Sequence, residues 1–382
     1  MEATPLLEAD HVTREFATRN RIRRGTIPVL DNRAQPKAQE QSEAQVGVPG
    51  TTTLGKVKMP ASGGLLRRDS IAAVDDVSLV VPQDPTLISL VGESGSGKTT
   101  LSRMLLGLDR PTRGEIRYKG KNIFTLSRDE WQVYRRDVQA VFQDPYAIYN
   151  PFYHVEHVFQ MVIKQFKLAS SQAEARKLTE ESLRAVDLRP GDVLGRYPHQ
   201  LSGGERQRVM LARIHMLQPK IIIADEPVSM IDAAVRTLFM NILLDFRDQR
   251  GISCLFITHN LATAYYLGGQ MMVLCYGRLI ESGDMDSIIE QPSHPYTRQL
   301  LSSVPSGDPE RRWTTKATAE IADRPLTHDE HRCVYATRCP HVMPICNQER
   351  PPDFLLEEGR TTAACYLYQD MPVKRQAEEP RA

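Results

Sequence analysis

No apolar run in this chain approaches the roughly 20 residues needed to cross a bilayer, so no segment is expected to span a membrane. An excess of charge of either sign is missing too. The 48 Lys and Arg against 47 Asp and Glu leave a formal net charge of +1, with no overall pull toward nucleic acid or acidic lipid. The N-terminus Met1-Glu-Ala-Thr-Pro5 lacks the basic-then-apolar form of a secretory signal, and the chain is expected to stay in the cytoplasm. Cysteine is scarce, at six of 382 residues, and a disulfide framework is not expected in that reducing compartment. What remains is ordinary for folded protein: 25% charged residues, and length enough for two or three domains with a sizeable core.

Against that background one stretch stands out. Gly92-Glu-Ser-Gly-Ser-Gly-Lys98-Thr99 fits G-x-x-x-x-G-K-[ST], and it lies between the apolar run Thr86–Val91 and the apolar-periodic Leu101–Leu106. Strand, glycine loop and helix therefore follow in the order that phosphate binding requires. Glycines at 92, 95 and 97 let backbone N–H groups turn inward, and the helix beginning near Lys98 adds the positive end of its dipole. Lys98 is expected to reach the β- and γ-phosphates, and the Thr99 hydroxyl to sit on Mg²⁺, with Ser94 and Thr100 completing the cradle. The bland alternative is a Gly/Ser turn with a stray lysine, which the placement between strand and helix disfavours.

Chemistry needs carboxylates near that loop. Lys220-Ile-Ile-Ile-Ala-Asp225-Glu226-Pro227 reads as a buried parallel strand that delivers two acids at its C-terminal end. Asp225 is expected to hold Mg²⁺ through water, and Glu226 to polarise the attacking water. Alone, a strand ending in acids is usually just solvated. A second strand, Ser253–Thr258, ends in His259, in position to touch the γ-phosphate or orient water. Further along the helical region, Leu201-Ser-Gly-Gly-Glu-Arg-Gln-Arg208 places Ser202, Gly203 and Gly204 at a helix start, a second anion site that is also an ordinary serine cap.

In order and content these motifs resemble the ATP-binding subunit of an ABC transporter, from Leu6 to about Tyr366. They occupy that family's Walker A, signature, Walker B and switch-histidine positions, while Val141-Phe-Gln143-Asp-Pro145 fits its Q-loop and Ser229-Met-Ile-Asp232 its D-loop. The resemblance implies an ATPase that binds ATP and Mg²⁺, with Gln143 linking the metal and attacking water to membrane subunits and Asp232 reaching across a dimer. Phe16 lies where the family stacks an aromatic on adenine; an isolated Phe ending an apolar strand is otherwise a core residue. The resemblance further implies a head-to-tail pair, in which Ser202 and Gly204 face ATP held by the other subunit.

The implied fold is an α/β P-loop NTPase cassette with a RecA-like core, an antiparallel β subdomain, a helical subdomain and a small cysteine-containing C-terminal extension. Its expected boundaries are 1–16 and 69–144 for the first part of the core, 145–204 for the helical subdomain with the signature loop, 205–290 for the second part, and 291–382 for the extension. Residues 17–68 form a polar insertion with a basic cluster at Arg19, Arg21, Arg23 and Arg24, expected to be a disordered surface loop. A contact with lipid headgroups or partner loops is the alternative.

The extension narrows the resemblance. Gln291-Pro-Ser-His-Pro-Tyr-Thr-Arg-Gln-Leu-Leu301 is similar to oligopeptide and dipeptide permease subunits, as are Val141–Tyr146 and Asn150-Pro151. Cys333, Cys339, Cys346 and Cys365 follow, at a spacing that fits neither a zinc ribbon nor a ferredoxin run. Some members of the family hold a 4Fe–4S cluster on a matching motif, so the resemblance implies that cluster, with zinc and free buried thiols as alternatives. Cys254 and Cys275 read as core.

The function implied is ATP hydrolysis driving peptide uptake, at the cytoplasmic face of the membrane. Its implied partners are a second, related but different ATPase subunit, two transmembrane permease subunits and an extracytoplasmic solute-binding protein, with no nucleic acid. Nickel or oligosaccharide cargo is an alternative, as is a non-transport ABC ATPase. The latter would be expected to carry paired cassettes, a long coiled coil or a basic face, and none is visible. The chain departs from the family pattern at Ile231 and at Asn260 after the switch histidine, changes that remove no catalytic group.

Overall fold

The computed structural model describes residues 4–17, 70–144, 149–304, 331–356 and 360–374. The expected surface loop at 17–68, with its basic cluster, lies outside the described residues apart from Ala17, and so does Pro145 of the Q-loop stretch.

Two sheets organise the chain. The smaller one takes β1 (Leu7–Ala17) and β2 (Ser70–Val81), with β4 (Arg113–Tyr118) and β5 (Lys121–Asn122), in the order β2-β1-β4-β5. β4 runs antiparallel to both β1 and β5. The larger sheet begins with β3 (Leu87–Val91), whose five residues are all buried. Beside it lie β8 (Ser253–Thr258), β7 (Ile221–Asp225) and β6 (Val138–Val141), all parallel, with β9 (Gln270–Cys275) parallel on the other flank. β3, β7 and β8 are buried along their whole length, as strands covered on both faces must be, and this explains their mostly apolar content.

Beyond β9 the sheet turns antiparallel through β10 (Arg278–Asp284), β12 (Thr361–Ala363) and β11 (Phe354–Leu356). The last two strands belong to the C-terminal region. A stretch without sequence periodicity thus continues the core sheet, with Glu281 opposite Ala363 and Ser282 opposite Thr362.

Helices cover the faces. α1 (Lys98–Leu105) follows the glycine loop and buries Leu101, Met104 and Leu105 between the two sheets, against Val74 and Leu79 of one and Ile221 and Leu255 of the other. α2 (Arg128–Asp137) leads into β6 from a Ser127/Glu130 capping box. On the opposite face, α3 (Glu156–Phe166), α4 (Gln172–Arg184), the short α5 (Pro190–Val193), α6 (Gly203–Leu217) and α7 (Ala233–Arg250) share one apolar cluster that includes Phe159, Leu183, Met210, Phe239 and Phe246. The three-to-four spacing of Val155, Phe159 and Val162 places those side chains on the buried side of α3. α8 (Leu261–Leu267), α9 (Met285–Glu290) and α10 (Pro295–Ser302) pack a further cluster in which Val91, Val273, Tyr296 and Tyr335 meet. Among the described residues no helix is long and apolar enough to cross a membrane.

Candidate active site

The glycine loop sits at the C-terminal end of β3, beside the ends of β7 and β8, so the fold brings the phosphate loop, Asp225, Glu226 and His259 to one edge of the sheet. Two of its glycines show why the loop takes this course. Gly95 has φ +81 and Gly97 φ +103, values side chains rarely adopt, and a Cβ on Gly97 would lie 2.2 Å from the Ala73 carbonyl oxygen. Lys98 is buried, and its ammonium donates to the Gly92 and Glu93 carbonyls at 2.8 Å each. Burial lowers its pKa from the ordinary lysine value, while the charges of Glu226, Asp225 and Glu93 oppose that shift.

Asp225 closes the β7 end and is itself buried. Its two oxygens accept from the Ser102 hydroxyl at 3.1 Å and the Thr99 hydroxyl at 3.4 Å, which ties β7 to α1 across the loop. Burial raises its pKa, with those two hydrogen bonds acting the other way. Ser102 was not singled out from the sequence, although its spacing of three from Thr99 places both on one face of α1.

Glu226 occupies the left-handed region at φ +47, held by its N–H bond to the Ile257 carbonyl at 2.9 Å. That turn swings its carboxylate toward the end of β8, where Glu226 Oε1 lies 3.0 Å from Nδ1 of His259. Acid and histidine, expected from two separate strands, form a direct pair. Asn260, where the family often has an acid, caps α8 by accepting from the Ala262 and Thr263 N–H groups.

The signature loop makes its contacts with α7 and the stretch before it. Ser202 and Glu205 form a reciprocal cap at the start of α6, with bonds of 3.2 and 2.7 Å. A Cβ on Gly204 would lie 2.3 Å from Cγ1 of Val235, so packing demands glycine there, while Gly203 is more open. Asp232 is exposed at the start of α7, and its side chain makes no cap bond. Ile231 is buried in the helical cluster, which accounts for an apolar residue at that position. Gln143 is exposed just past β6, on the same edge of the sheet as Asp225. Phe16 is 45% exposed, with the Arg14 guanidinium 5.0 Å from its ring centre, and so is no core residue.

A family model described as ABC transporter matches residues 74–229, and one described as Oligopeptide/dipeptide transporter, C-terminal region, matches 280–346. The putative oligopeptide transport ATP-binding protein YkfD of Bacillus subtilis is 36% identical over 322 residues, 84% of this chain and 96% of its own length. The chain belongs to the ABC transporter ATP-binding subunits of the oligopeptide/dipeptide class. OppF of Escherichia coli, an oligopeptide transport ATP-binding protein, is 36% identical over 74% of the chain and 84% of its own length. A dimeric structure of the ATP-binding cassette MJ0796 bound to ADP and Pi superimposes with a TM-score of 0.53 at 24% identity, covering 73% of this chain and 98% of that one. This ABC subunit is accordingly an ATPase built on the P-loop cassette fold.

The cysteine tail departs from its expectation. Cys333 and Cys346 are joined by a main-chain hydrogen bond of 3.0 Å, and the Cys333 thiol feels those of Cys346, Cys365 and Cys339, so the fold gathers all four into one region. Among the described residues, however, no three His, Cys, Asp or Glu side chains come together in a group able to hold a metal ion. The 4Fe–4S expectation is therefore without support in this geometry. Cys254 and Cys275 are buried in the core.

Proposed function

We propose that the chain is the ATP-hydrolysing subunit of a peptide importer and works as half of a head-to-tail pair at the cytoplasmic face of the membrane. The observation that carries the catalytic part is the 3.0 Å contact between Glu226 and His259 beside the Lys98 cradle. It supports Glu226 as the general base for the attacking water, with His259 orienting that base and touching the γ-phosphate. Gly92, Ser94, Gly95, Gly97, Lys98, Thr99 and Thr100 would cradle the phosphates. Thr99, Asp225 and Gln143 would hold Mg²⁺, and the Thr99 hydroxyl and Asp225 carboxylate, 3.4 Å apart, are a suitable oxygen donor pair. The metal supplies neutralisation of charge developing on the phosphoryl oxygens.

Ser202, Gly203, Gly204 and Asp232 would serve the neighbour's nucleotide, and the capped start of α6 supports that use of the loop. The exposed ring of Phe16 suits adenine stacking. The names of the relatives favour peptides over nickel or oligosaccharide cargo. We assign the proposed division as 1–16 with 69–144, 145–204, 205–290 and 291–382, with a related ATPase chain, two membrane subunits and a solute-binding protein as partners and no nucleic acid. Peptide uptake by the reconstituted importer tests the role. Uptake that stops with Lys98→Ala supports it, and uptake that persists refutes it. A 4Fe–4S cluster in the tail is the finer reading. Iron near four per chain with absorbance around 400 nm, roughly, after anaerobic purification would sustain it, and iron-free protein with normal uptake would end it.

A further inference from the structure

The C-terminal region grips the phosphate loop at one residue, Glu93, from two directions. The first grip begins at β10. Glu281, only 1% exposed, accepts from the Ser293 and His294 N–H groups at 2.7 and 3.0 Å, which fixes the Pro292–Pro295 turn against the sheet. His294, fully buried, then accepts from the Tyr296 N–H at 3.0 Å through Nδ1 and caps α10. Tyr296 is thereby held with its hydroxyl at the loop, where it accepts the Glu93 N–H at 2.9 Å.

The second grip comes from residues 331–356. The Tyr335 ring packs edge-on to Tyr296 with centres 5.5 Å apart, and its hydroxyl bonds to Gln299 of α10. Arg338, whose N–H bonds back to the Tyr335 carbonyl at 3.0 Å, places Nη1 3.3 Å from Oε2 of Glu93. Main chain and side chain of Glu93 are both held, and the Glu93 carbonyl in turn receives the Lys98 ammonium at 2.8 Å. A single residue separates the tail from the lysine of the cradle.

We propose that Tyr296 and Arg338 are positioning residues for nucleotide binding: the C-terminal segment acts as an arm that holds the phosphate loop in its receptive shape. This inference rests on reading Gly92 to Thr99 as the nucleotide cradle. The reasoning is one of preorganisation. Backbone amides must stand ready before the phosphates arrive, and a loop that spends less time in that shape binds more weakly by the same fraction. Neither residue touches the reacting atoms, so the rate of the chemical step should not depend on them.

The test uses the full-length chain with a fluorescent ATP analogue for affinity and the assembled importer for turnover. Tyr296→Phe keeps the ring and removes only the hydroxyl. It is expected to raise Kd and KM for ATP about 3- to 10-fold, the value of one ordinary hydrogen bond, with kcat and melting temperature near wild type. Arg338→Met should act in the same direction, and Arg338→Lys, which keeps the charge, should restore affinity. Unchanged Kd in both Tyr296→Phe and Arg338→Met, with or without a loss of thermal stability, overturns the arm. Lys98→Ala separates this failure from failure of the underlying reading. If Lys98→Ala abolishes binding while the other two variants bind normally, only the arm is wrong; if Lys98→Ala itself binds normally, the cradle is wrong as well.

Discussion

Replacing Glu226 by glutamine should stop hydrolysis while leaving nucleotide binding in place. The substitution keeps shape and removes charge. The Glu226 backbone is anchored by its N–H bond to the Ile257 carbonyl at 2.9 Å, which the new side chain does not disturb. What is lost is the proposed proton acceptor and the carboxylate oxygen that faces Nδ1 of His259, 3.0 Å away. A positioned general base contributes about 10²- to 10⁴-fold, equivalent to about 3–5 kcal/mol of barrier. Phosphate release in a single turnover by the complete transporter measures it, with the corresponding change in the other ATPase subunit as the comparison. Because Glu226 and His259 touch, their effects should not multiply. The double variant Glu226→Gln with His259→Ala is expected to lose about as much as the worse single variant. Turnover near wild type in Glu226→Gln would refute the base assignment, and strictly multiplicative losses would refute the working pair.

Three further outcomes follow from packing and burial. Gly204→Ala should destabilise the chain by about 1–3 kcal/mol through overpacking, since its Cβ would meet Val235, and a second change, Val235→Ala, should recover part of the melting temperature; an unshifted melt in the single variant would contradict the contact. His294 is pushed down to about 3 by burial, so it stays neutral in the folded chain while the unfolded chain takes up a proton below the ordinary value of 6.5. Stability should therefore fall as pH drops below that point, by about 2 kcal/mol between pH 8 and pH 5, and His294→Asn, which keeps a cap acceptor, should flatten melting temperature against pH. A wild-type profile already flat over that range would count against the burial argument. Arg278 and Asp75 form a buried ion pair at 2.5 Å between β10 and β2. Arg278→Met leaves that carboxylate without its guanidinium and should cost about 3–5 kcal/mol in chemical denaturation, where a loss below that range would show the pair to be dispensable.

The parts of this molecule that could be read before any coordinates were those whose structure is local. Residues Ile221–Asp225 and Ser253–Thr258 are short apolar runs bounded by punctuation, and they form strands because every residue in them is buried on both faces. The glycine loop was equally legible, since strand, φ-permissive turn and helix lie consecutively. The stretch from Arg117 to Leu126 is less regular, dividing into the end of β4, the two-residue β5 and a 3₁₀ turn at Ile123–Thr125 capped by Asn122. β11 and β12 were not legible at all. Three residues carry no period, and these strands exist because β10 offers a partner. The Tyr296 and Arg338 contacts to Glu93 were hidden for the same reason, as they join residues more than two hundred positions apart. His-Pro-Tyr could be seen as a family mark, but only the fold shows where its hydroxyl goes. The four cysteines are the opposite case: the resemblance implied a cluster, and among the described residues no three ligands come together to support one.

The central claim is that ATP is shared between two chains, cradled by Lys98 and Thr99 here and read by a serine-glycine loop from the neighbour. A structure of the assembled importer trapped with ATP and Mg²⁺ by Glu226→Gln tests it directly. The account predicts that the phosphates at this cradle touch the signature loop of the other ATPase subunit, while Ser202 and Gly204 touch the nucleotide held there. Nucleotide bound in the trapped assembly by one chain alone would contradict it.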